Sequence, residues 1–81
     1  MAKCGIKNGE IRYCEDINEE YLIIGRTPMQ KMAYRVLWKS GLRTHDMIED
    51  IKKDKVVGKI EGFQASNKNM LTNFIKNNLE R

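Results

Sequence analysis

The sequence predicts a small α+β domain in which an N-terminal antiparallel sheet packs on three helices. Three observations lead to this prediction. Residues 1–25 carry short β-type runs and an Asn-Gly turn, a helix-start signal opens the segment 27–81, and apolar residues then recur at helical spacing. A chain of 81 residues holds one domain, here a β-meander at 1–25 followed by a helical part at 27–81. The expected element order is β-β-β-α-α-β-α.

The first part of the chain is expected to form the sheet. Asn8-Gly9 lies between two short runs within residues 2–14, and this dipeptide indicates a β-hairpin because both positions tolerate positive φ. The sequence EDINEE at 15–20 predicts an acidic loop. The apolar run YLIIG at 21–25 predicts a third strand that is buried on both faces.

The two cysteines raise the question of a disulfide, and together with the single histidine they raise that of a metal site. A two-residue hairpin loop places Cys4 opposite Tyr13, whereas a loop that includes Glu10 places it opposite Cys14, so pairing of the thiols stays open. Cys4, Cys14 and His45 supply three potential zinc ligands, but no C-x-x-C spacing accompanies them. We therefore expect reduced thiols, no metal and no cofactor.

The segment that begins at Thr27 predicts the first helix. Thr27 is a suitable N-cap, Pro28 suits the first helical position, and Gln30 completes a capping box. Gly41 is expected to end the helix in a left-handed conformation. The residues expected to pack on the core recur at helical spacing and are Met29, Met32, Ala33, Val36 and Leu37.

Three further elements are expected after Gly41. Thr44 is predicted to cap a second helix that ends near Lys53 or Asp54 and turns Met47, Ile48 and Ile51 inward. The β-branched residues of KVVGKIEGF, 55–63, favour a strand over an irregular connection, and its edge is a possible site of homodimer pairing. Ser66 or Asn67 is expected to cap the last helix.

The charge of the chain is concentrated in one segment. The formal net charge is +4, and residues 21–43 hold five basic residues and no acidic one. The apolar runs are shorter than a membrane span, and the first ten residues lack an apolar signal core, so we expect a cytoplasmic protein. The abundance of Asn, Lys, Ile and Met fits an A/T-rich genome such as that of a phage or a mobile element.

On the predicted first helix, the basic residues form one ridge. Lys31, Arg35 and Lys39 are four residues apart, and Tyr34 and Trp38 flank them. Like charges at this spacing repel each other, which suggests a polyanionic ligand such as nucleic acid. Arg26 and Arg43 would extend the same surface at the two helix ends. The alternative is that the two aromatic rings pack on the sheet and the basic ridge is simply solvated.

The last helix places a polar face opposite its apolar one. The polar residues are Asn69, Thr72, Asn73 and Lys76, and Asn, Thr and Lys are side chains that contact base edges in the major groove of DNA. The alternative is a solvated helix whose asparagines reflect only codon usage.

Three segments together resemble the three-helix core of helix-turn-helix regulators. They are TPMQKMAYRVLWKSG, LRTHDMIEDIKKD and SNKNMLTNFIKNNLE, within residues 27–81. In the last segment the resemblance rests on a cap at Ser66 or Asn67, on Leu71-Thr72, on Ile75 and on Leu79-Glu80. The resemblance implies DNA binding and transcription regulation, although the connection 55–65 is longer than a helix-turn-helix turn and no wing follows.

These observations favour a non-catalytic nucleic-acid-binding accessory or regulatory protein. If the protein neutralises about four phosphates of the nucleic acid, the log affinity should fall with log salt at a slope of about −3.6. No nucleophile, base and orienting group occur as a set around His45, so we expect no enzyme activity. The alternative is a protein-binding module, such as a phage-encoded inhibitor of a host enzyme or nuclease, with Tyr34 and Trp38 as anchors.

Overall fold

A computed structural model describes residues 5–28 and 32–79, with side chains of the last helix described as far as Ile75. This part of the chain forms a five-stranded antiparallel sheet and two helices. The strands are β1 (Glu10–Cys14), β2 (Glu19–Arg26), β3 (Ala33–Trp38), β4 (Arg43–Met47) and β5 (Lys55–Lys59), and the helices are α1 (Ile48–Lys52) and α2 (Lys68–Leu79). The α+β class is therefore confirmed, but the expectation of three helices is wrong.

The sheet has the strand order β4-β3-β2-β1-β5. The first four strands form a meander, and β5 returns to pair with β1 after the short helix α1. The strand predicted from YLIIG is confirmed as the centre of β2, where Tyr21–Gly25 are all buried. The predicted acidic loop is confirmed in part: residues 15–18 form the turn that joins β1 to β2, but Glu19 and Glu20 belong to β2.

Both faces of β2 are covered, which is why this strand is apolar without interruption. One face, which we call the α1 face, buries Ile6, Tyr21, Ile23, Tyr34, Val36, Trp38, Ile48 and Ile51. The opposite face, which we call the α2 face, buries Leu22, Ile24, Leu37, Leu71 and Phe74. The helix α2 covers only the part of this face where the second cluster lies. The β3–β4 end of the face is therefore open to solvent.

The predicted helix 27–41 is wrong within the described residues, because its centre forms β3. Val36 pairs with Ile23 of β2 and with Thr44 of β4. A strand that is buried on both faces produces the same apolar positions as the helix pattern, so the periodicity could not separate the two. The Thr27 N–H donates to the Ala33 carbonyl at 3.2 Å, which places Pro28 in the loop between β2 and β3.

The predicted second helix is also displaced. Residues 43–47 form β4, and the helix begins only at Ile48. The Thr44 hydroxyl accepts the indole N–H of Trp38 at 2.8 Å and donates to Asp46, so it does not cap a helix. Ile48 and Ile51 turn inward as expected, whereas Met47 is exposed. Gly41 has the predicted positive φ of 99°, but in the turn between β3 and β4.

The Asn8-Gly9 turn is present without the expected hairpin. Residues 5–7 are not a strand, and the two neighbours of β1 in the sheet are β2 and β5. Gly9 is required here for two reasons: its φ is +91°, and an added Cβ would lie 2.7 Å from the Cβ of Phe63. Cys4 lies outside the described residues, and Cys14 packs against the core of the α1 face.

The strand predicted within 55–63 is confirmed as β5. It pairs with β1 in a register that is shifted at Ile11/Arg12, and its other edge pairs with no described strand. Val56 and Val57 are half exposed on this edge. Antiparallel self-pairing about the strand centre would bring Lys55 opposite Lys59 of a second copy, which opposes the homodimer considered from the sequence.

A buried arginine joins β1 to the turn between α1 and β5. The Arg12 guanidinium donates to the carbonyls of Ile51 at 3.1 Å, Asp54 at 3.2 Å and Gly5 at 3.3 Å. It also forms an ion pair with Glu10 at 2.8 Å, and both side chains are largely removed from solvent. Arg12 therefore ties β1 to the turn after α1, where the Ile51 carbonyl also accepts the N–H of Asp54 at 3.0 Å.

Tyr21 is expected to make stability depend on alkaline pH. Burial, and then the hydrogen bond that its hydroxyl donates to Asp54, raise the pKa of Tyr21 well above its ordinary value of 10.0. A pKa that is higher in the folded than in the unfolded chain stabilises the fold below pH 10, and this contribution is lost as pH rises further. Tyr21→Phe should lower the free energy of unfolding by about 1–2 kcal/mol at neutral pH and flatten its fall above about pH 10.

Urea unfolding of both proteins at several pH values up to about pH 11 measures this difference. Tyr13→Phe is the control, because the Tyr13 hydroxyl bonds to Asn18 at an exposed site. Parallel pH curves for the wild type and Tyr21→Phe would contradict the role of Tyr21.

The last helix is confirmed close to its predicted position. Of the two predicted caps, Asn67 is the one used: its side-chain oxygen accepts the N–H groups of Asn69 at 3.0 Å and Met70 at 3.4 Å. Leu71 and Phe74 are buried against the sheet, as the apolar spacing predicts. The three-helix core implied by the helix-turn-helix resemblance is thus reduced to this one matching helix among the described residues.

Candidate nucleic-acid interface

The open end of the α2 face carries a cluster of cationic side chains. Arg35 of β3 lies opposite His45 of β4, and Arg43 lies opposite Leu37, so the three polar side chains project from the same side of the sheet. Arg35 and Arg43 occupy a diagonal pair of positions, for which a separation of about 7–8 Å is typical. All three side chains are exposed.

Two neighbouring grooves connect this cluster to α2. One lies between β3 and β4 and is lined by Ile24, Arg35, Arg43 and His45, among others. The other lies between β4 and α2, where Lys68 and Thr72 face Arg43 across a floor that includes Leu71 and Ile75. Arg43 lines both grooves. We call the surface formed by Arg35, Arg43, His45, Lys68 and Thr72 the basic face.

No carboxylate opposes the charge of the basic face among the described side chains. The two grooves are lined by no Asp or Glu in that part of the chain. The ion pairs found there join Arg12 to Glu10 and Lys59 to Glu61, so Arg35, Arg43 and Lys68 take part in neither. Arginine and lysine side chains that project together without internal counterions favour the binding of an anion.

The side chains of Arg35 and Asn8 both lie near Gly25 of β2. A Cβ added to Gly25 would lie 3.5 Å from an Arg35 guanidinium nitrogen and 3.6 Å from the amide nitrogen of Asn8. These two hydrogen-bond donors therefore lie close together above the backbone of β2. Asn8, at the turn before β1, thus extends the donor surface beyond the sheet.

The predicted ridge of Lys31, Arg35 and Lys39 does not exist as a helical feature. Lys39 is only 8% exposed, and its ammonium group donates to the Phe74 carbonyl at 3.0 Å and lies 4.5 Å from the centre of the Phe74 ring. Lys39 therefore holds α2 to the sheet and is not available to a ligand. Lys31 lies outside the described residues.

Arg26 lies apart from the basic face. It pairs with Tyr34 at the end of β2, and Tyr34 belongs to the α1 face. Its guanidinium group lies 5.7 Å from the centre of the Tyr34 ring and donates to the Tyr34 hydroxyl at 3.4 Å. The expectation that Arg26 extends the same surface as Arg35 and Arg43 is therefore wrong.

The proposed aromatic anchors are part of the core. Tyr34 is 4% exposed and Trp38 is 5% exposed. The Trp38 ring packs on Tyr21 with the ring centres 4.7 Å apart, and its N–H is bonded to Thr44. The alternative that these rings pack on the sheet is confirmed, so neither ring is accessible to a partner.

The polar face of α2 divides into two parts. Thr72 and Lys68 are four residues apart and turn toward Arg43, where they belong to the basic face. Asn69 and Asn73 are exposed, and neither lines the grooves of the basic face; Asn73 lines a different cleft, with Ile11 and Lys39. The side chain of Lys76 lies outside the described part of the helix.

The structure therefore brings together three of the predicted site residues, Arg35, Arg43 and Thr72. It adds Lys68 and His45, which the sequence analysis did not assign to a nucleic-acid site. A strand reading of 43–47 would have found His45, because residues at alternate positions share one face of a strand. The position of Lys68 depends on how α2 packs, which no local pattern specifies.

The remaining expectations concern metals, membranes and relatives. Among the residues that the structure describes, no three His, Cys, Asp or Glu side chains are grouped as metal ligands. Cys14 and His45 belong to opposite faces of the sheet. Within the same residues, no helix has the length and apolar character needed to cross a membrane.

Comparisons with protein families, curated proteins and solved structures found no match to this chain.

Proposed function

We propose that this chain is a non-catalytic nucleic-acid-binding protein and that it holds phosphate groups on the basic face. The proposal rests mainly on one observation: Arg35, Arg43 and Lys68 line two grooves that share Arg43 and that no described carboxylate lines. Guanidinium groups bind phosphate oxygens in a bidentate manner, and a lysine contributes a further positive charge. Thr72 and His45 supply additional hydrogen-bonding groups between these cations.

The number of cations sets the strength of the salt dependence. If Arg35, Arg43 and Lys68 each neutralise one phosphate, the slope of log affinity against log salt is about −2.7 for a duplex. This slope is shallower than the value of about −3.6 expected from the sequence. The difference arises because Lys39 bonds to Phe74 and Arg26 belongs to the other face.

A triple substitution tests the proposal directly. Arg35→Gln, Arg43→Gln and Lys68→Gln together should lower the affinity for nucleic acid about tenfold to a hundredfold at low salt and bring the salt slope close to zero. Fluorescence anisotropy of a labelled oligonucleotide, titrated at several salt concentrations, measures both quantities. All three residues are exposed, so the variant should fold normally.

The matched control removes the same charge from another part of the surface. Lys52→Gln, Lys53→Gln and Lys55→Gln also lower the formal charge from +4 to +1, since three positive charges are lost. Lys53 and Lys55 line a cleft together with Glu15 and Asp16, far from the basic face in the sheet order. Equal losses of affinity in the two triple variants would show that net charge alone, and not the basic face, attracts the ligand.

A further inference from the structure

The six aromatic side chains of the chain all lie in its described part, and none presents an open ring. They are Tyr13, Tyr21, Tyr34, Trp38, Phe63 and Phe74. Four of them are buried: Tyr21, Tyr34 and Trp38 on the α1 face and Phe74 on the α2 face. The other two, Tyr13 and Phe63, are half buried.

The two half-buried rings lie in clefts of mixed charge, apart from the basic face. The cleft of Tyr13 is lined by the acidic residues Glu15, Asp16 and Asp54 and by the basic residues Lys53 and Lys55. Phe63 packs against the cluster of the α2 face, and the cleft beside it contains Glu10 and Glu61 together with Lys7 and Lys59. Neither ring lines the grooves of the basic face.

This arrangement separates two kinds of nucleic acid. Proteins that bind single strands combine a positively charged groove with aromatic rings on which unpaired bases stack. A duplex keeps its bases stacked on each other and presents a high density of phosphate charge, so a protein binds its backbone without aromatic platforms. The basic face offers the cations of Arg35, Arg43 and Lys68, the Thr72 hydroxyl and the small imidazole ring of His45, spread over β3, β4 and α2.

We infer that the ligand of the basic face is double-stranded nucleic acid held through its phosphate backbone, because no Phe, Tyr or Trp ring lines the grooves that hold Arg35, Arg43 and Lys68. This inference rests on the proposed function and narrows its ligand class. DNA and RNA duplexes share this backbone chemistry, and the experiment below includes both.

Anisotropy titrations compare duplexes of about 20 base pairs, in DNA and in RNA, with unstructured single strands of the same length and base composition. At equal low salt we expect at least one of the two duplexes to bind about tenfold tighter than its single strand, since stacking on the protein cannot offset the lower charge density of the single strand. The emission of Trp38 should stay unchanged on binding, because its ring is 5% exposed and belongs to the α1 face, opposite the basic face.

These experiments distinguish a failure of the duplex assignment from a failure of the proposed function. Equal or tighter binding of the single strands, or quenching of Trp38 emission by them, overturns the duplex assignment while the basic face remains a nucleic-acid site. Binding of a duplex that persists in the Arg35, Arg43 and Lys68 triple variant overturns the assignment of the ligand to this face. If neither form of nucleic acid binds the wild type at low salt, the proposed function itself is wrong and the inference falls with it.

Discussion

Replacing Arg12 with Met lowers the free energy of unfolding by about 3 kcal/mol, because it leaves Glu10 as a poorly solvated charge without its partner. The substitution also removes the donors to the carbonyls of Ile51, Asp54 and Gly5. Met has a similar length and no charge, so the loss reports the polar contacts more than an empty volume. For a domain of this size, about 3 kcal/mol is a large part of the total stability.

Urea unfolding followed by circular dichroism measures this effect, with two comparison variants. The double variant Glu10→Met and Arg12→Met should recover part of the lost stability, since it removes the isolated carboxylate as well. Lys53→Met replaces an exposed base near the same turn and should change the free energy of unfolding by less than about 0.5 kcal/mol. A loss below about 1 kcal/mol for Arg12→Met would mean that water replaces the guanidinium contacts without penalty.

Replacing Phe74 with Ala loosens α2 from the sheet and costs about 3–4 kcal/mol if the helix stays docked. Phe74 is 3% exposed and packs with Leu71 on Leu22, Ile24 and Leu37. Its ring also lies below the Lys39 ammonium group, so the substitution removes a cation–π contact together with the apolar one. Since α2 carries Lys68 and Thr72, the variant should also bind nucleic acid more weakly.

Hydrogen exchange shows where the stability is lost. We expect faster exchange of the amide groups of α2, with β2 and β3 remaining protected, because α2 is held mainly by a few apolar side chains and Lys39. Asn73→Ala alters the neighbouring, exposed position and serves as the control. Equal loss of protection in β2 and α2 would show that the helix and the sheet unfold as a single unit.

The fold could be predicted where the sequence of a segment is compatible with only one type of secondary structure. YLIIG is too short and too β-branched for a helix, KVVGK contains two adjacent valines, and the last helix combines a cap with a long apolar period. The sequence from Thr27 to Met47 is compatible with either helices or strands. Its capping residues and spacing suit a helix, but Tyr34, Val36 and Trp38 also alternate as in a strand, and pairing with β2 and β4 decides between them.

The site could be predicted in part, and for a reason that is only partly correct. The concentration of basic residues within 21–43 pointed to Arg35 and Arg43, which do share a surface. The helical spacing that grouped them with Lys39 was wrong, because in a strand Lys39 continues the same face until α2 covers it. Lys68 joins this surface through the packing of a helix on a sheet, which depends on contacts between segments far apart in sequence.

The pairing of β5 with β1 also determines how this chain must fold. β5 begins at Lys55, so β1 gains its second neighbour only after most of the chain has been synthesised. Contacts of such long range slow folding, and an unpaired strand edge is vulnerable to aggregation in the meantime. At typical rates of translation this interval is about 2–8 s, so the nascent chain is the state in which β1 most needs protection by a chaperone.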